Sequence, residues 1–177
     1  MNDVNNRRYP IGKFKAPKEY NDELRESFIN EIEETPFYLR QAVENLNEDQ
    51  LNTPYREAGW TIDQVVHHLP DSHMNAYIRT KLALTEKEPV IKPYKEDAWA
   101  RLEDYITTPI ETSMQLLESV HIRWIILLKS LDGQQFLRKM NHPEIGLIDL
   151  NWLVALYAWH GKHHVAHINN LKQRMGW

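Results

Sequence analysis

The sequence predicts an all-α fold, a four-helix bundle in a single domain spanning residues 1–177. Three observations carry that expectation. Four long stretches repeat apolar residues at intervals of three and four, three of them open on a residue suited to the start of a helix, and only a short segment reads as paired strands.

Taken in order, residues 1–19 carry Pro10, Gly12 and Pro17 and read as an irregular arm lying on the domain. "NDELRESFINEIEETPFYLRQAVEN" places Leu24, Phe28, Ile32, Leu39 and Val43 on one helical face, with a kink or break expected at Pro36. The loop "NEDQLNTPYREAGW" follows, with room for a helical turn. Thr61 and Gln64 in "TIDQ" form the pattern of a capping box and predict a second helix reaching about Leu84. The prolines of "EKEPVIKPYKED" mark a long connection, which suggests a crossover between bundle helices, and "DAWARLEDY" reads as a short helix. Thr108 is expected to cap the third long helix, ending near Leu131, with Pro109 in its first position, where a missing N–H costs least. "FLRKMNHPEIGLIDL" predicts a small hairpin turning at residues 142–146, and Asp149 caps a last helix reaching about Met175.

Composition narrows the function. A net charge of -4 leaves no basic surplus to neutralise phosphates, which argues against nucleic acid as the main partner. No apolar run is long enough for a membrane span, and the polar start lacks the apolar centre of a secretion signal, so the expected location is cytoplasmic. With no cysteine, disulfides, zinc–thiolate sites and a cysteine nucleophile are all excluded. A metal site would have to use histidine and oxygen ligands.

Histidine is where the sequence is unusual. "WHGKHHVAHI" holds His160, His163, His164 and His167 on what reads as one helix. On a helical wheel His160, His164 and His167 fall within the apolar stripe of Leu153, Leu156, Tyr157, Ile168 and Leu171, and His163 on its edge. His160 and His164, one turn apart, can converge on one ion, the spacing used by the HExxH zinc motif, although Gly161 stands where that motif has its glutamate. On the second helix, "VVHHLPDSH" puts His68 at the margin of the apolar face, His67 towards solvent, and His73 on the apolar face but further along. The geometry therefore prefers His68 as a third ligand. A hydrogen-bonded polar core or a solvated patch are the competing readings; His121 and His142 read as ordinary surface or turn residues. His167, Asp71 and Ser72 are candidates for orienting a ligand from behind.

"GWTIDQVVHHLPDSHMNAYIR" and "LYAWHGKHHVAHI", with "YPIGKF" near the start and the terminal "RMGW", resemble the DinB/YfiT-like metalloprotein superfamily over nearly the whole chain. The resemblance implies a four-helix bundle binding one divalent metal ion per chain, zinc or nickel, through His68, His160 and His164. It also implies a cytoplasmic homodimer and metal-dependent hydrolysis of a small-molecule substrate. The rival reaction it implies is thiol S-transfer from a low-molecular-weight thiol such as bacillithiol to small electrophiles, and a binding module without turnover is the third reading. Three protein ligands leave a position open, the arrangement of catalytic zinc sites, and hydrolysis and thiol transfer would use the same ligands. A thiol bearing carboxylates would want cations nearby, for which Arg79 and Arg123 are the sources; Asp71 is the nearest carboxylate for general acid or base work.

Overall fold

The computed structural model describes residues 7–177. Four long helices form the bundle: α1 Asp22–Val43, α2 Ile62–Thr85, α3 Ile110–Lys129 and α4 Leu150–Met175. Helical turns at Glu48–Leu51, Glu96–Trp99 and Asp104–Thr107 interrupt the connections, and a hairpin of β1 Lys139–His142 with β2 Gly146–Asp149 precedes α4. Thr61 closes the expected capping box with Gln64, and Asp149 accepts from the Trp152 amide at 2.8 Å. The third helix differs: Pro109 is its N-cap and no side chain caps it, because a residue before proline is held extended, as Thr108 is at ψ 129.

α1 and α2 each pack against both α3 and α4, so α1 faces α2 across the diagonal. Pairings of His67 with Ser113 and Trp124 with Thr80 run in step along α2 and α3, which are therefore parallel neighbours. The chain must travel back the length of the bundle between them, and residues 86–109 are that crossover. α1 and α4 are likewise parallel, with Arg25 reaching Asn151 at one end and Lys172 reaching the Ala42 carbonyl at the other. Among the described residues, no helix is long and apolar enough to cross a membrane.

The described part of the N-terminal arm lies on α4. Phe14 packs edge-on against Trp152, and the Trp159 indole donates to the Gly12 carbonyl at 3.3 Å.

The core is split. One apolar cluster gathers Ile29 and Ile32 of α1, Ala76 and Ala83 of α2, Trp124 and Leu128 of α3 and Leu153 to Ala158 of α4. The other gathers Leu39 and Val43, then Ile62, Val65, Val66 and Leu69, then Met114 and Leu117, and Ile168 and Leu171. In every helix the residues between the two clusters include polar, buried ones: Thr35, then Ser72 and His73, then His121, then His163 and His164. A polar layer thus crosses the middle of the bundle, and the candidate site lies in it.

Candidate metal centre

α2 and α4 run antiparallel here, which brings His68 opposite the His160–His164 turn. His68 Nε2 is 3.3 Å and His164 Nε2 3.2 Å from His160 Nε2. A ring nitrogen of each residue lies within 4.8 Å of the other two. Ligands held at about 2.0–2.1 Å in tetrahedral geometry stand about 3.3 Å apart, so these separations suit three imidazoles sharing one ion. The nitrogens line a cavity of about 540 Å³. Burial disfavours the imidazolium: His68 is lowered to about 3, while His160 and His164 fall well below the ordinary imidazole value through burial first and neighbouring imidazoles second, His68 beside His160 and His160 beside His164. Neutral imidazole is the form that binds metal.

His160 is further held from behind. Its Nδ1 lies 3.2 Å from His73 Nε2; His73 Nδ1 lies 2.8 Å from His121 Nε2; His121 Nδ1 lies 2.8 Å from the Ile32 carbonyl. A carbonyl only accepts, so His121 donates from Nδ1 and accepts at Nε2. His73 must then donate from Nδ1 and accept at Nε2, and His160 donates from Nδ1, leaving the Nε2 lone pair for a ligand bond. The chain of three imidazoles assigns one tautomer throughout, the one a metal ligand needs. The Ile32 carbonyl is available because Pro36, four residues on, has no N–H to give it. Of the kink or break expected at Pro36, the break does not occur: α1 continues through it, and His121 supplies the missing hydrogen bond.

Aromatic rings enclose the centre. Trp60, just before the Thr61 cap, sits 4.6 Å from His68 by ring centroids and donates its indole N–H to Asp97 at 3.0 Å. Tyr157 packs 5.4 Å from His160, backed by Trp124. Gly161 follows from packing: a Cβ there would lie 2.4 Å from Thr35 Oγ1, so its absence lets α1 reach α4 beside His160.

The other predicted residues lie elsewhere in the layer. His167 stacks on Tyr55 at 3.9 Å and pairs with His163 through Nε2 atoms 3.0 Å apart, without a hydrogen bond to the three clustered histidines. Asp71 accepts from the Tyr105 hydroxyl at 2.7 Å and does not line the cavity, whereas Ser72 lines it. His67 does turn away from the cluster, but into α3 and not into solvent: its Nδ1 is 2.7 Å from Ser113 Oγ and Tyr105 of the crossover covers it. A crossover lying over α2 buries a second face that an amphipathic wheel assigns to water. His121 and His142 are likewise buried, His121 inside α3's apolar stripe and His142 on the cavity wall. His73 and His121 are the residues the sequence reading left without a role. The signal for His121 was present, since Leu117, Trp124 and Ile125 flank it at helical spacing. Arg79 lines the cavity, whereas Arg123 lies over the Tyr77 ring outside it.

Comparison with known proteins agrees with this architecture. A Bacillus cereus (strain 03BB102) protein named "Putative metal-dependent hydrolase" is 51% identical over 177 residues, all of both chains, and a Bacillus anthracis (strain CDC 684 / NRRL 3495) protein of the same name is 50% identical over the same length. The solved structure of YfiT from Bacillus subtilis, described as "a probable metal-dependent hydrolase with an unusual four-helix bundle topology", superposes with a TM-score of 0.94 at 49% identity, covering 97% of this chain and 99% of that one. The profile of the DinB superfamily matches residues 31–168. With a bundle of this topology and matches of this extent, the chain belongs to the DinB superfamily.

Proposed function

We propose that this chain is a metal-dependent hydrolase holding one divalent ion, zinc or nickel, on His68, His160 and His164, and acting on a small molecule admitted through the cavity. The observation that carries the reading is the convergence of three neutral imidazole nitrogens on the wall of a 540 Å³ cavity, three protein ligands with space on their far side. When bound, a divalent ion supplies Lewis acidity and lowers the pKa of water to about 7. The protein's part is to orient and enclose. His73 and His121 hold the His160 ring and its tautomer, Trp60 walls the site at His68, and Trp159 stacks on His163 at 4.3 Å. Asp71, spent on Tyr105, is a poor candidate for proton transfer. Zinc-loaded wild type, chelator-treated wild type and His160→Ala protein, assayed against a panel of carboxylic esters and amides, test the proposal. Hydrolysis by the loaded wild type alone supports it; a rate that ignores the chelator contradicts it.

A thiol S-transferase is the second reading, favoured by the presence of Arg79 in the cavity wall. Metal-dependent conjugation of bacillithiol to monochlorobimane, with no hydrolysis of the ester and amide panel, would favour it over hydrolysis.

A further inference from the structure

Arg79 is 9% exposed, and among the described residues it is the sole lysine, arginine, aspartate or glutamate that is buried. Its Nη2 donates to the Lys92 carbonyl at 3.2 Å, and the guanidinium also meets the Tyr157 hydroxyl. No aspartate or glutamate among the described residues forms an ion pair with it, whereas the partly buried Arg25 pairs with Asp22 and the exposed Arg40 pairs with both Glu111 and Glu118. A guanidinium taken out of water without an anion is costly unless a partner completes it. It lines the same cavity as the three histidines.

We infer that the cavity carries an anion subsite at Arg79, which holds a carboxylate of the substrate while the reacting group lies at the three histidines. Tyr157 supports the role: its hydroxyl lies beside the Arg79 guanidinium and 3.3 Å from the Ser72 hydroxyl, and both Tyr157 and Ser72 line the cavity, so neutral hydrogen-bonding groups stand next to the cation. The charge balance selects the class of anion. Arg8, Arg56 and Arg79 on the wall are matched by Glu96, Asp97 and Glu144, so the cavity suits a singly charged group better than a phosphate dianion. A carboxylate also matches the planar fork of one guanidinium. The inference names the substrate class of the proposed site and rests on that reading for the placement of the reacting group.

Hydroxamates chelate zinc, so alkyl hydroxamates ending in a carboxylate, over a series of chain lengths, span from the ion to Arg79. Their affinities for zinc-loaded protein, measured by isothermal titration, are compared with those of the matching methyl esters. At one chain length the carboxylate should bind about 10- to 100-fold tighter than the ester, the effect of a charged hydrogen-bonded pair. Arg79→Gln, which retains a donor for the Lys92 carbonyl, should abolish that preference and leave the affinity of acetohydroxamate unchanged. Equal affinities for carboxylate and ester at every length, with acetohydroxamate still bound, would overturn the subsite and leave the metal centre standing. A preference that survives Arg79→Gln would also overturn it. If acetohydroxamate does not bind the wild type, the metal reading fails by itself. The subsite is then decided on metal-free protein by saturation-transfer NMR, where hexanoate should compete ahead of hexanamide in the wild type and not in Arg79→Gln; no advantage for hexanoate would overturn it.

Discussion

Replacing His73 with phenylalanine keeps a ring of similar size and cuts the imidazole chain next to His160. His160 Nδ1 loses its acceptor at 3.2 Å and His121 Nε2 its donor at 2.8 Å. Each buried polar group left unpaired costs about 1–3 kcal/mol, so the metal-free protein should lose about 2–6 kcal/mol of stability. Metal affinity should fall as well, because nothing then reserves the His160 Nε2 lone pair; losing such a partner lowers affinity about 10- to 100-fold. His121→Phe breaks the chain one link further away. It strands the Ile32 carbonyl and His73 Nδ1 but leaves the His73–His160 contact, so it should destabilise to a similar degree and cost clearly less affinity. Zinc affinity is read by competition with a chromophoric chelator, and stability by thermal unfolding of the metal-free protein. Wild-type zinc affinity in a folded His73→Phe protein would refute the claim that this chain orients His160. Equal affinity losses in both variants would show that general destabilisation, not tautomer control, is at work.

Other expectations follow from the same layer. Gly161→Ala should destabilise by about 1–3 kcal/mol despite alanine's better helix propensity, because the new Cβ meets Thr35 Oγ1 and Cγ2 at 2.4 and 2.8 Å. Adding Thr35→Ala, which removes both atoms, should recover most of that loss in denaturant unfolding; no recovery would locate the strain elsewhere. Burial holds His68 and His167 down to about 3, and His121 and His163 to about 4. Their native values are depressed, so the unfolded chain takes up protons that the native state refuses. The resulting stability is complete above about pH 6.5 and is lost as pH falls from there towards 4, by up to about 5 kcal/mol per pH unit for the four together. A urea midpoint of metal-free protein that stays flat between pH 7.5 and 5.5 would contradict this.

Much of the bundle was legible because capping chemistry and apolar spacing are local. Thr61 with Gln64, Asp149 before α4, and the hairpin turning at residues 142–146 all follow from neighbouring residues. The crossover could be anticipated from a connection too long for adjacent antiparallel helices, but not which faces it would cover. That is why His67 reads as solvated while Tyr105 and Ser113 bury it. The juxtaposition of His68 with His160 and His164 was legible because each lies on or beside an apolar face. The relay behind His160 was not, since it joins α1, α2, α3 and α4 through contacts 48, 87 and 89 residues apart in sequence. Pro36 illustrates the limit well. A proline inside a helical pattern reads as a break, and only the tertiary structure supplies the histidine that satisfies the carbonyl it frees.

The central claim is that His68, His160 and His164 hold a metal ion. Its most direct test is metal content by mass spectrometry on protein purified without a histidine tag or chelator, for wild type, His68→Ala, His160→Ala and His67→Ala. The account predicts about one zinc or nickel ion per chain, lost in the first two variants. His67→Ala should retain it, because that ring faces Ser113 and Asp63 instead of the cluster. A wild type that takes up no metal after dialysis against either ion, or variants that all bind alike, would contradict the account.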